Sequence, residues 1–455
     1  MYSLTFAQVS SIFGQNCQNK TLISKVIIDS RQAVPNCLFF ALPGSNVDGH
    51  QFVQDILDCR GFAVVKRGYN KSSDRIIQVE DPLKALQKLA EIQLERLKIP
   101  VIAITGSNGK TSTKDLTAAV LSEKFSVHKT QGNFNNELGV PLTILGLEQH
   151  HQAVVLEMAM RGFGQISELT KIAPPDIGII TNIYPVHLEL LGSMENIAQA
   201  KIELLYGLKP KGIAVLNGDD LLLRRSAAKV SEVKNKVFYG REIDNDLRAD
   251  NISFDTQGNI SYDCIWGSEC YNVSLNLPGL HNVYNSLAAV AVGLEFGMSL
   301  ADCITGLQKA ELTRMRLEIE IGAEQVKIIN DTYNASPASM HAALDILAAI
   351  ETNGSRIAVL GDMLELGSIS ESAHTHVGEH AAQVCDYLIC VGNYGAVVRQ
   401  GAETAGFPQE RIRVYQTVED LLLDIKRLVQ KQDLVLVKAS RSVALERVVE
   451  VLKER

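Results

Sequence analysis

No apolar run in this 455-residue sequence approaches the roughly 20 residues that cross a bilayer, so no membrane insertion is expected. The opening MYSLTFAQVSSIFGQ lacks the basic and apolar blocks of a secretory leader, which predicts a cytoplasmic protein. Positive charge is not in excess: 44 Lys and Arg against 52 Asp and Glu leave a net charge of -8. That balance argues against duplex nucleic acid as the main partner, while leaving room for a local basic pocket around an anionic substrate. None of the eight cysteines stands in a Cys-x-x-Cys pair, and their scattered spacing reads as reduced, mostly buried thiols. Tandem repeats and low-complexity segments are absent as well.

What is present is an ordinary folded composition, 46% hydrophobic and 21% charged, in a chain too long for one core. The fold class is α/β in three domains, with boundaries at 1–82, 83–312 and 313–455. Residues 23–79 hold short β-rich runs, followed by PLKALQKLAEIQLERL, whose Leu83, Leu86, Leu89, Ala90 and Leu94 fit one face of a helix. From residue 100 the runs VIAIT, AVVLEM, IGIITNI and GIAVLNGDD suit central, mostly parallel strands covered by helices. Residues 236–276 turn polar and aromatic, as an edge sheet would. After 313 the alternation VKIIND, RIAVLGDM, YLICVG, RIRVYQ and LVLVKAS predicts a separate doubly wound domain.

ITGSNGKTST, residues 104–113, ends like a nucleotide-binding P-loop but has Ile104 where the usual pattern has glycine. An apolar strand precedes it and a helix-forming stretch follows, so backbone N–H groups and the helix dipole would meet a phosphate there. Lys110 would reach the outer phosphates and the Thr111 hydroxyl a magnesium ion. Glu157 ends the strand AVVLEM, a position suited to a metal or a nucleophile. His187 follows the strand IGIITNI; Lys201, taken alone, reads as a helix-surface lysine on a helix beginning near Ser193. GNFNNELGVP packs Asn135, Asn136 and Glu137 into a turn rich in hydrogen-bonding groups. Asp331 stands at a strand's carboxyl end in NDTYNASP, and Asp362 and Glu365 are expected to be exposed on the loop GDMLELG.

These segments, in this order, resemble the Mur ligases, the ATP-dependent amide-forming enzymes of peptidoglycan synthesis. TGSNGKTST is similar to that family's shortened P-loop, and DSRQAVPNCLFFALPGSNVDGHQF to its N-terminal UDP-binding segment. GNFNNELGVP, NDTYNASPASM and GDMLELG look most like the member that adds D-alanyl-D-alanine to UDP-N-acetylmuramoyl-tripeptide. The resemblance implies a small α/β UDP-binding domain, a central P-loop-type ATPase domain and a C-terminal Rossmann-like domain. It implies ATP and Mg²⁺ as cofactors and a monomer. Gly106, Ser107, Asn108, Gly109, Lys110, Thr111 and Ser112 would hold the ATP phosphates, Asn282 the adenine and Asp331 the ribose. Arg316 would cross from the C-terminal domain onto the phosphates. Thr111 and Glu157 would hold one Mg²⁺, with His187 and a carbamylated Lys201 at a second. Ser30 and Arg31 would touch the UDP-sugar, and Asn135, Asn136 and Glu137 the substrate cleft. Ala439, in KASR, stands where glycine is usual.

Other readings are the related ligase adding the third amino acid, or a P-loop ATPase without ligase activity. Folylpolyglutamate synthase shares the architecture but lacks a separate UDP-binding domain, against which residues 26–80 argue.

Overall fold

Three sheets organise the chain in the computed structural model, which describes residues 4–44, 47–71 and 73–454. Ser45 and Asn46, inside the segment similar to a UDP-binding region, lie outside the described residues. The first sheet is all parallel: β1 (Val26–Ile27), β2 (Leu38–Phe40), β3 (Phe62–Lys66) and β4 (Ile76–Val79), in that order. The helix Pro82–Leu97 follows, started by the Asp81 carboxylate, which accepts the Leu83 and Lys84 N–H groups. Its Leu86, Leu89, Ala90 and Leu94 are buried, as their spacing predicts, while Leu83 is only partly so.

The second sheet contains β5 (Val101–Thr105), β6 (Val127–Lys129), β7 (Ala153–Glu157), β8 (Ile177–Ile180), β9 (Ile213–Asn217), β10 (Asn235–Gly240), β11 (Leu247–Phe254), β12 (Asn259–Trp266) and β13 (Glu269–Pro278). Its order is β13-β12-β11-β10-β9-β8-β5-β7-β6. Pairing is parallel from β6 to β11 and antiparallel only at β11–β12 and β12–β13, so the polar stretch forms the edge, as expected. Residues of β5 are wholly buried, which fits a strand covered on both faces.

The third sheet runs β14-β15-β19-β16-β17-β18, formed by β14 (Glu318–Ile321), β15 (Lys327–Asp331), β16 (Arg356–Gly361), β17 (Tyr387–Val391), β18 (Ile412–Tyr415) and β19 (Leu434–Lys438). All its pairs are parallel except β14–β15. β14 is the one strand of this sheet that the sequence reading omitted; its EIEI alternation is only half buried at an edge. Among the described residues, no helix is long and apolar enough to cross a membrane. All eight cysteines are free, five of them buried.

Candidate active site

Strand order places the site before any side chain is considered. β5 lies between β7 and β8, its successors arriving on opposite sides, and such a switch point opens a crevice at the strands' carboxyl ends. The phosphate-loop candidate leaves β5 there, flanked by Glu157 at the end of β7 and Thr181 just past β8. Gly106 (φ +148°) and Gly109 (φ +80°) are both required: a Cβ would fall 1.9 Å from Thr181 Oγ1 or 2.5 Å from Asn285 Oδ1. The loop is pinned to the segment after β8. Ser107 N donates to Asn182 O at 3.0 Å, Asn108 N to Asn182 Oδ1 at 2.9 Å, and Thr181 Oγ1 to Asn108 O at 2.6 Å.

The helix Lys110–Ser122 then starts with no side-chain cap, leaving its N-terminal N–H groups for an anion. Lys110 Nζ folds back onto Gly106 O and Ser107 O at 2.8 and 3.0 Å. Burial lowers its pKa, with the Glu157 carboxylate opposing.

Thr111 Oγ1 donates to Glu157 Oε2 at 2.8 Å, and Asn135 Nδ2 to Glu157 Oε1 at 2.8 Å. Two hard oxygen donors beside a phosphate loop fit Mg²⁺, which takes one or two protein oxygens and draws its other ligands from phosphates and water. His187 Nδ1 lies 2.5 Å from Glu365 Oε2, a contact from the third sheet's loops onto the central unit. Burial lowers the His187 pKa, and Glu365 opposes that.

Lys201 corrects the surface reading. Its helix Met194–Tyr206 starts at Ser193, as expected, but Lys201 is only 2% exposed. Burial, with the Lys110 ammonium nearby, holds its amine well below the usual lysine range.

From the other side, Arg316, Asp331, Tyr333, Ser336 and Lys438 meet the phosphate loop in one cleft of about 950 Å³. Parallel register sets Asp331 opposite Lys438, and Lys438 Nζ reaches Asp331 Oδ2 at 2.5 Å. The Arg316 guanidinium lies 4.0 Å over the Tyr333 ring, and its buried Nε has no hydrogen-bond partner. Asn282, in the helix His281–Glu295, also lines the cleft, its amide donating to Pro278 O at 2.9 Å. His281 beside it is pushed down to about 4 by burial, with Asp331 opposing and Lys438 adding to the shift.

Not every candidate joins this cleft. Asn135 lines it, while Asn136 and Glu137 do not; the Asn136 side-chain oxygen Oδ1 accepts the Leu138 and Gly139 N–H groups. Ser30 and Arg31 sit on a short 3-10 turn after β1, where Arg31 pairs with Asp29 at 2.8 Å. Asp362 corrects a second expectation: it is 5% exposed and accepts the Asn393 and Tyr394 N–H groups at 2.9 Å. Missed in sequence were Asn182, His281, Tyr333, Ser336 and Lys438. All but His281 follow strand ends or close a strand, a signal that was available.

Two family models match the chain: the Mur ligase middle domain over residues 104–293 and the Mur ligase, glutamate ligase domain over residues 315–441. A UDP-N-acetylmuramoyl-tripeptide–D-alanyl-D-alanine ligase of Bacillus subtilis is 39% identical over 442 residues, covering 96% of this chain and 94% of its own. A crystal structure of MurF from Acinetobacter baumannii is similar with a TM-score of 0.88 at 30% identity, covering 100% of this chain and 99% of its own. MurF ligase from Thermotoga maritima, solved in complex with ADP, gives 0.82 at 30% identity, covering 95% and 97%.

Proposed function

The chain belongs to the Mur ligase family, and on that premise we propose that it joins D-alanyl-D-alanine to the free carboxylate of UDP-N-acetylmuramoyl-tripeptide, converting ATP to ADP and phosphate. One observation carries this: the phosphate loop of one unit and Arg316 and Asp331 of another line a single cleft. The full-length likeness to ligases of that name supports the choice of acceptor.

A carboxylate resists an amine because oxide is its leaving group. Transfer of the γ-phosphoryl group of ATP to the carboxylate forms a new O–P bond, breaks the β–γ bridge and releases ADP. The dipeptide amine then attacks the acyl carbon, and phosphate departs as the amine loses its proton. Anions must converge in the first step, so Lys110, Arg316 and the loop 106–112, through the N–H groups of its uncapped helix start, hold the phosphates. Asn282 faces the adenine and Asp331 the ribose. Thr111 and Glu157 would hold one Mg²⁺, with His187 and carbamylated Lys201 at a second; bound Mg²⁺ would offset phosphate charge. Burial favours the neutral form of the Lys201 amine, the form that CO₂ converts to an anionic carbamate with release of a proton. Ser30 and Arg31 touch the UDP-sugar, with Asn135 toward the peptide and Asn136 and Glu137 shaping the turn that carries it. Units divide near residues 82 and 312, and the enzyme works as a cytoplasmic monomer.

Phosphate release, measured while omitting ATP, UDP-MurNAc-tripeptide or D-alanyl-D-alanine in turn, tests this reading. Release should require all three. Turnover without the dipeptide would reject a ligase in favour of a plain P-loop ATPase.

A further inference from the structure

Asp115 lies on the phosphate-loop helix one turn beyond Thr111, is 1% exposed, and is not among the residues lining the cleft. Its carboxylate is nonetheless crowded with donors. Oδ1 takes Lys129 Nζ at 2.6 Å and Lys114 Nζ at 3.3 Å. Oδ2 takes both the backbone N–H and the hydroxyl of Thr313, at 2.9 and 2.7 Å. Burial alone would raise the Asp115 pKa, but Lys114 and Lys129 overrule it and hold the carboxyl below its usual range.

Thr313 stands where the chain leaves the central unit. The helix Leu300–Gln308 packs on the phosphate-loop helix, β14 begins at Glu318, and residues 309–317 make the crossing. Arg316 is three residues beyond Thr313, between Met315 (φ +62°) and Leu317 (φ +54°), both in the left-handed region. For residues other than glycine that conformation is strained, and it persists only where the surroundings impose it. Downstream, Glu318 accepts the Met315 N–H at 2.9 Å and Tyr333 N donates to Met315 O at 3.2 Å. Upstream, the Lys309–Glu123 pair has its lysine 64% exposed, and exposed pairs hold little. Beside the packing of Ala310 and Leu312 on the central core, the crossing is held by the buried Asp115 carboxylate.

We propose that Asp115 is a positioning residue for phosphoryl transfer: through Thr313 it anchors the strained crossing that aims Arg316 at the ATP phosphates. This rests on the ligase reading of Arg316 given above. The anchor also ties the aim of Arg316 to the helix whose first turn carries Lys110 and Thr111, so both ends of the phosphate clamp share one rigid element. Precision matters here, because a displacement of about 1 Å in a positioned group can lower a rate about 10²-fold.

Substituting Asp115 also strips Lys114 and Lys129 of their partner, so Thr313 is the cleaner handle. In the full-length protein, Thr313→Val should lower kcat about tenfold while leaving KM for UDP-MurNAc-tripeptide within about twofold. Thr313→Ser, which keeps the hydroxyl, should restore kcat. Affinity for the ATP analogue AMP-PNP, read by calorimetry, completes a double-mutant cycle that inactive variants still report. Thr313→Val should weaken that affinity in the wild-type background and add nothing in Arg316→Ala. Full kcat in Thr313→Val, no rescue by serine, or the same loss of affinity in the Arg316→Ala background would each overturn the anchor. Unchanged ligation and AMP-PNP binding in Arg316→Ala alone would instead remove the reading of Arg316 on which it stands.

Discussion

The Ser336 hydroxyl is hydrogen bonded at 3.0 Å to the side-chain oxygen of Asn108, joining the C-terminal unit to the phosphate loop. The same hydroxyl accepts the Ser339 N–H and caps the helix Pro337–Ala349. Ser336→Ala loses both interactions. The cap alone is worth about 1 kcal/mol, so the unfolding free energy of the C-terminal unit should fall by about that amount, with its urea midpoint moving lower. An unshifted transition would count against the capping role.

Lys110→Ala should reduce ligation by at least about 10²-fold, the loss seen when one donor to developing charge is removed. Binding of the UDP-linked substrate, followed by calorimetry, should be nearly unchanged, because the Lys110 ammonium is hydrogen bonded to the phosphate loop's own carbonyls. Comparable ligation by wild type and variant would withdraw the phosphate assignment.

Lys201→Ala should be inactive, and a short carboxylate added to the assay should restore part of the rate by supplying the missing anion. Burial of Lys201 predicts this as chemistry rather than surface charge. Full activity in the variant without any added carboxylate would reject carbamylation.

His281 sets a pH dependence of stability. Its folded-state pKa is about 4 against an ordinary 6.5, so the unfolded chain binds the extra proton first as pH falls. Stability is therefore complete above about 6.5 and declines toward pH 4, by at most about 3 kcal/mol from this group. Urea titrations at pH 7 and 4.5, on wild type and His281→Gln, should show a smaller acid loss in the variant. Equal losses would assign the acid sensitivity elsewhere.

Much of the site was legible because its signals are local. A buried strand, two glycines with positive φ and an uncapped helix start occupy ten consecutive residues, so TGSNGKTST marks its own structure. Glu157 and Asp331, which line the cleft, stood out because each closes an apolar run of strand length, and a strand's carboxyl end is where an α/β sheet binds ligands. Asp362 was misread for the same reason: the position is right, but its carboxylate is used by the Asn393 and Tyr394 N–H groups.

Local pattern by itself determined the alternation of strands and helices, the place of the phosphate loop and the short list of strand-end acids. Tertiary structure alone decided which of these meet. Lys438 reaches Asp331 across 107 residues through strand register, and Glu365 reaches His187 across 178 through the approach of two units. Lys201 is buried by what packs over its helix, and Thr313 is gripped by Asp115 across 198 residues. Periodicity encodes which face of an element is apolar, but not which element covers it. Contacts between separate elements therefore leave no repeat for a sequence to display.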